Sequence, residues 1–212
     1  MKYLVFSDVH GNLPALENVL KNEPDIEGYL NIGDVVNYGP WSNECVDLIA
    51  TFKNCYNILG NHEEYFNNGV CNVEHPLVQM FFNKTYPDFT KKEATSKYKN
   101  SLLFNEFELI HTLGEKRYIF RDTEVNLENN IILGHSHQQY IRYINNKLLI
   151  NPGSIGQNRA FINVSNYVVW DIETNEFQMK STTYNLKHLI SEMKSKKYPQ
   201  ACVDYYQNKN IY

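Results

Sequence analysis

The chain has 212 residues, with 42% hydrophobic and 21% charged residues and a net charge of −4, and its pI is near 6.0. This is the composition of one globular domain with its own core, which excludes a disordered or collagen-like chain. The acidic balance argues against a dedicated duplex-DNA binder, but not against a small phosphorylated substrate held by metals.

The four cysteines, at 45, 55, 71 and 202, form no CxxC pair. The apolar run Tyr3–Phe6 is too short for a signal-peptide core, and no 18-residue apolar stretch occurs. These features predict a reduced, cytoplasmic protein with no membrane span.

Tyr3–Phe6 reads as a buried strand. Leu13–Leu20 reads as a helix, because Leu13, Leu16 and Leu20 share a face, Asn12 stands at the N-cap and Pro14 lies in the first turn. Tyr29–Ile32 is a second strand. Ser42 is placed to cap a helix running to about Ala50, without a capping box because Cys45 holds the third helical position. Tyr56–Leu59 is a third strand. Strands alternating with helices predict βαβ units and a largely parallel sheet.

Residues 64–101 read as an insert of short helices and loops, with Asn67-Asn68-Gly69, Pro76 and Pro87 as breakers. Its lysines from Lys91 to Lys99 read as a solvated face. Strands return at Glu108–Ile110, Ile131–Leu133, Leu148–Ile150, Tyr167–Trp170 and Phe177–Thr182. The short turn Glu173-Thr174-Asn175 makes the last two an antiparallel hairpin. Leu186, Leu189, Ile190 and Met193 keep a helical period, for core packing or contact within a homo-oligomer, and Pro199 starts a second short helix.

The chemistry recurs at strand ends. Phe6-Ser7 runs into Asp8 and His10, Ile32-Gly33 into Asp34, Leu59-Gly60 into Asn61 and His62, Leu109-Ile110 into His111, and Leu133-Gly134 into His135 and His137. Any one of these is ordinarily a turn former or a helix cap. Five such ends, carrying five of the chain's seven histidines, point instead to one ligand edge at the strands' carboxyl ends. Asp, Asn and His without thiolate suit Mn²⁺, Fe, Co or Zn. Seven candidate ligands are too many for one tetrahedral ion and fit two ions sharing a carboxylate. Such a pair, about 3.5–4 Å apart, clamps the attacking and leaving oxygens of a phosphoryl displacement.

The blocks DVHGN at 8–12, GDVVNYGP at 33–40, GNHE at 60–63 and GHSH at 134–137 resemble the calcineurin-like metallophosphoesterase superfamily. NPGSIGQNR at 151–159 further resembles its small bacterial and archaeal phosphodiesterase branch. The resemblance implies a single α/β (α+β) domain over residues 1–212. Its fold would be a four-layer αββα sandwich of two mixed β-sheets flanked by helices, with a variable insert at about 64–101. It implies two divalent ions, with Mn²⁺ favoured and Fe, Co, Ni or Zn also suited. Asp8, His10, Asp34 and His137 would hold one ion; Asp34, Asn61, His111 and His135 would hold the other.

An activated water would be the nucleophile, His62 would act near the leaving group, and Glu63 would orient the His62 ring. Asn37, Tyr38 and Arg159 are candidate substrate contacts. Two positions depart from the usual pattern: Thr112 follows His111 where the branch has Gly, and Glu63 replaces the commoner Asp.

The function expected is hydrolysis of a phosphodiester in a small or nucleotide-like substrate. A phosphomonoesterase or a dinucleoside-polyphosphate hydrolase is the alternative within the class. Outside it stand a non-catalytic scaffold on the same fold and a regulatory nucleotide-binding module. A scaffold needs neither the full ligand set nor His62, and this chain keeps both.

Overall fold

In the computed structural model, residues 1–114 and 118–212 are described. The N-terminal strand β1 (Lys2–Phe6) shows why its run is continuously apolar: it is buried on both faces. Tyr3 and Val5 face one core cluster, Leu4 and Phe6 another, as the two-residue period of a strand requires. After α1 (Leu13–Asn22), β2 (Gly28–Asn31), α2 (Ser42–Ala50) and β3 (Cys55–Asn57), the chain has built three parallel strands, β1, β2 and β3. The hairpin of β9 (Val164–Asp171) and β10 (Glu176–Thr183) completes the sheet on its other side, in the order β10-β9-β1-β2-β3.

The second sheet is formed by β4 (Ser101–Phe104), β5 (Phe107–Ile110), β6 (Asn130–Ile132), β7 (Tyr140–Ile144) and β8 (Lys147–Asn151), in the order β4-β5-β6-β8-β7. β5, β6 and β8 run parallel, and the edge strands β4 and β7 are antiparallel. The sheets pack face to face. Val5 and Leu30 of the first, with Ile32 just after β2, share a core cluster with Leu109, Ile132 and Ile150 of the second, and the rings of Trp170 and Phe107 meet within it at 5.0 Å. Each such side chain contributes roughly 1.5–3 kcal/mol of burial.

The helices lie mainly against the first sheet. Leu16 and Val19 of α1 and Cys45, Val46 and Ile49 of α2 cover Leu4 and Phe6. The Asn12 carboxamide accepts from Ala15 N–H at 3.3 Å, as an N-cap should. Ser42 is not a cap. Trp41 occupies that position, and the Ser42 hydroxyl instead accepts the N–H of Asn37 at 3.0 Å.

The segment 64–101 contributes most of α3 (Asn61–Asn68), then α4 (Pro76–Thr85), a 3₁₀ turn (Tyr86–Asp88) and the short α5 (Lys92–Thr95). With α6 (Leu186–Ser195) and α7 (Gln200–Gln207), α4 forms a separate cluster around Phe81, Leu189, Met193 and Tyr206. Among the described residues, no helix covers the outer face of the second sheet. Ile131 and Leu149 lie there with Ile119 and Leu127, which belong to no helix or strand. No described helix is long and apolar enough to cross a membrane.

Candidate metal centre and the cavity above it

The strands deliver the candidate ligands to one edge. Asp8 and His10 follow β1, Asp34 follows β2, Asn61 and His62 open α3, His111 follows β5, and His135 and His137 lie beyond β6. The turns are tied to one another across the sheets: Asp8 N–H donates to Gly33 O (2.9 Å), His10 N–H to Asp34 O (3.0 Å) and Gly134 N–H to His111 O (3.2 Å). Asp8, His10, Asp34, His135 and His137 all have φ between 50° and 64°, in the left-handed region. Each such non-glycine residue costs roughly 1–2 kcal/mol, a cost kept where the surroundings over-determine the geometry.

Their side chains converge. The Nε2 of His137 lies 3.2 Å from Asp8 Oδ1 and 3.2 Å from His10 Nε2. The Nε2 of His111 lies 3.1 Å from Asp34 Oδ2, and that of His62 lies 4.0 Å from it. Ligand-type atoms of Asp8, His10 and His137 lie within 4.8 Å of one another, as do those of Asp34, His111 and His135, and those of His10, Asp34 and His62. Three rings are held by their other nitrogen: Nδ1 faces Val36 O in His10 (3.4 Å), Ile32 O in His111 (2.7 Å) and Gln157 O in His137 (2.8 Å). A ring that donates Nδ1–H to a carbonyl presents the Nε2 lone pair to the centre.

Among the described residues, four buried atoms make no hydrogen bond of good geometry: Asp8 Oδ1, Asn61 Oδ1, His111 Nε2 and His135 Nε2. Unpaired polar atoms are costly in an interior, and these four belong to the two expected ligand sets. The donors present therefore fit divalent cations. Burial opposes protonation of His111, but the Asp34 carboxylate beside it outweighs burial and raises the ring to about 10. His135, with burial and His111 against it, falls to about 4.

Glu63 is not the ring-orienting group expected. Its carboxylate accepts backbone N–H from Asp34 (2.8 Å), Val35 (2.7 Å), Val36 (3.1 Å) and Gly60 (2.9 Å). It thus fixes the loop that carries Asp34. Burial and the Asp34 charge push the Glu63 carboxyl up to about 7, against the pull of those donors.

The His62 ring is oriented by Asn37, whose Nδ2 lies 2.8 Å from His62 Nδ1. Asn37 Oδ1 accepts Tyr38 N–H (2.7 Å) and the Thr85 hydroxyl (2.9 Å), so its amide hydrogens must face the ring. Neutral His62 then carries its proton on Nε2, on the side of Asp34. Burial lowers its pKa despite Asp34, which favours that neutral form.

Asn37 therefore sits in the site, but against His62. Tyr38 packs its ring 4.9 Å from that of His10 and 5.2 Å from that of His62. Tyr38, Arg159, Tyr65, Tyr118, Tyr205 and Lys209 are among the residues lining a cavity of about 410 Å³ over the candidate ligands. The Asn151–Ser154 turn supports the site from behind. Asn151 Nδ2 donates to Gly134 O (2.8 Å), and Ser154 Oγ donates to Asp8 O (2.7 Å).

Thr85, Tyr118, Tyr205 and Lys209 carried no motif, and Gln157 lay within the 151–159 block without being singled out. They reach the site from elements whose placement only the tertiary fold determines.

The family profile of the calcineurin-like phosphoesterase superfamily domain matches residues 1–175. The chain belongs to that superfamily. An uncharacterised protein of Methanocaldococcus jannaschii is 29% identical over 239 aligned positions, which cover 92% of this chain and 93% of the relative. A metallophosphoesterase from Sphaerobacter thermophilus superposes with a TM-score of 0.78 at 20% identity, covering 98% of this chain and 99% of that one. A hypothetical protein from Pyrococcus horikoshii gives 0.80 at 16% identity, covering 97% of each chain. At such identities the two structures establish the fold. α6 and α7 lie beyond the residues the superfamily profile matches.

Proposed function

We propose that the chain is a dimetal-dependent phosphoesterase that hydrolyses a phosphodiester of a small or nucleotide-like substrate. The carrying observation is the pair of buried clusters, Asp8/His10/His137 and Asp34/His111/His135, with unpartnered donor atoms in each. Asp34 belongs with both sides, since its carboxylate also meets His10 and His62 in a third cluster. Asn61 Oδ1 is the further donor for the second ion. Mn²⁺ is the ion proposed, and Fe, Co, Ni or Zn suit the same ligands.

Two bound ions would supply Lewis acidity and a water activated near neutral pH. The protein's own part is positional and protic. Asn37 holds His62 with its proton on Nε2, aimed at the cluster, where it would hydrogen-bond the phosphoryl oxygens or protonate the leaving oxygen. The aromatic walls of the cavity, Tyr38, Tyr65, Tyr118 and Tyr205, would hold the ester's organic groups, which favours a diester over a monoester.

The 64–101 insert, within one domain spanning 1–212, would shape that pocket through Tyr65, Val73 and Val78. Four free cysteines suit the cytoplasm.

The test is hydrolysis of bis(4-nitrophenyl) phosphate and 4-nitrophenyl phosphate by chelator-stripped protein, with and without Mn²⁺. Turnover should return with metal and favour the diester. His62→Ala should lower kcat by about 10²–10⁴-fold, the usual worth of a proton donor, and Asp34→Asn should abolish turnover. A folded wild type that binds two ions yet turns over neither ester with Mn²⁺, Co²⁺, Ni²⁺ or Zn²⁺ would refute the reading.

A further inference from the structure

The superfamily match ends at residue 175, yet Tyr205 on α7 and Lys209 just after it line the cavity over the candidate ligands. Their placement is built into the site. Gln157, whose carbonyl faces Nδ1 of His137, donates from Nε2 to the fully buried Tyr206 hydroxyl (3.1 Å) and accepts from the Tyr205 hydroxyl (3.4 Å). One residue thus anchors both a candidate ligand and α7.

The Lys209 ammonium lies 4.8 Å from the centroid of the Tyr205 ring. The Arg159 guanidinium lies 5.3 Å from that of Tyr118, and Tyr118 in turn lies 4.4 Å from the His135 ring. Among the described residues, neither cation has a carboxylate within ion-pair distance. Both are held on aromatic faces, which restrains a long side chain without neutralising it.

A phosphodiester carries one negative charge, which the two proposed divalent ions would already meet. Two further cations in the same cavity, without a carboxylate partner among the described residues, exceed what that charge requires. We infer that Arg159 and Lys209 bind a second phosphate of the substrate, so that the ligand class is a nucleotide-like molecule carrying at least two phosphates. The guanidinium would meet it as a planar fork and the ammonium as a point charge. This inference rests on the phosphoesterase reading above and adds to it the recognition of the non-reacting end.

Binding rather than turnover tests it. AMP and its non-hydrolysable homologue adenosine 5′-(α,β-methylene)diphosphate are titrated calorimetrically into Mn²⁺-loaded full-length protein at one fixed free Mn²⁺ concentration. The wild type should bind the diphosphate at least about tenfold more tightly, or about 1.4 kcal/mol. Lys209→Gln should reduce that advantage to about twofold. Lys209→Arg should retain most of it, and Lys53→Gln, a surface control, all of it. Absence of the advantage in the wild type, or its survival in Lys209→Gln, overturns the inference. Metal-dependent hydrolysis of the aryl diester without a diphosphate preference would refute this clamp alone, whereas failure of hydrolysis would refute the parent reading.

Discussion

Gly60→Ala probes how tightly the Asp34 carboxylate is built into the fold. Gly60 has φ −90° and ψ 168°, which alanine adopts freely, so no torsional cost arises. The cost is contact. A Cβ there would lie 2.2 Å from Asp34 Oδ1, 2.3 Å from Asp34 N and 2.7 Å from Glu63 Oε2. Ordinary heavy-atom contact is roughly 3.5 Å, so Asp34 must retreat by about 1 Å. It cannot do so alone, because Oδ1 accepts His62 N–H at 2.9 Å and the Asp34 N–H is held by Glu63.

Overpacking of this kind costs about 1–3 kcal/mol, or roughly 2–12 °C in melting temperature for a chain of this size. A displacement of about 1 Å at a reacting centre lowers turnover by about 10²-fold. Thermal unfolding with chelator, bound metal per chain by elemental analysis, and kcat/KM on an aryl ester read the three effects. Gly69→Ala, a left-handed position (φ 75°) ending α3, should lower stability but spare metal content. A Gly60→Ala protein with wild-type metal content and kcat/KM within about twofold would refute the argument that Asp34 has no room to move.

Two further outcomes follow from the site. Thr85→Val removes one of the hydrogen bonds that fix Asn37, worth about 0.5–1.5 kcal/mol. It should lower kcat about two- to tenfold with little change in KM, and an unchanged kcat would dissociate Thr85 from His62. His137 has φ 58°, so with chelator present His137→Gly should be more stable than His137→Ala by about 1 kcal/mol. Melting temperatures in the reverse order would show that the turn relaxes once its side chain is gone.

The strands and helices of the first sixty residues were legible because β1 and β2 are core strands and α1 and α2 keep apolar stripes. Sequence did not reveal β4 and β7. Both are edge strands, and much of what they carry is exposed, as at Leu103 and Tyr143. Their signal lay in the turns instead: Asn145 and Asn146 both have positive φ, as a two-residue hairpin demands. The candidate ligands were legible because they sit within a few residues of strand ends. Thr85 and Lys209 were not, since Thr85 reaches Asn37 from α4 and Lys209 reaches the cavity from just beyond α7, and both helices are packed by hydrophobic contacts elsewhere. Glu63 was legible as a site residue but not in its role, because its four partners are backbone N–H groups, which no side-chain pattern encodes.

The choice between turn former and ligand, posed for each lone Asp or His, is not exclusive in this geometry. Asp, Asn and His are the non-glycine types that enter the left-handed region most readily. They are also the types that bind Mn²⁺, Fe or Zn without thiolate. At Asp8, His10, Asp34, His135 and His137 one residue meets both demands: the backbone turns sharply off the strand end, and the side chain points back toward the centre. An alanine would pay the turn without supplying a donor, and a glycine would supply the turn alone. The surrounding packing must over-determine these five strained turns, whose cost is several kcal/mol in sum by the per-residue figure, and it holds the side-chain nitrogen of His137 3.2 Å from both Asp8 and His10. On the proposed dimetal reading, donors already held in place would lose little further conformational entropy on binding ions.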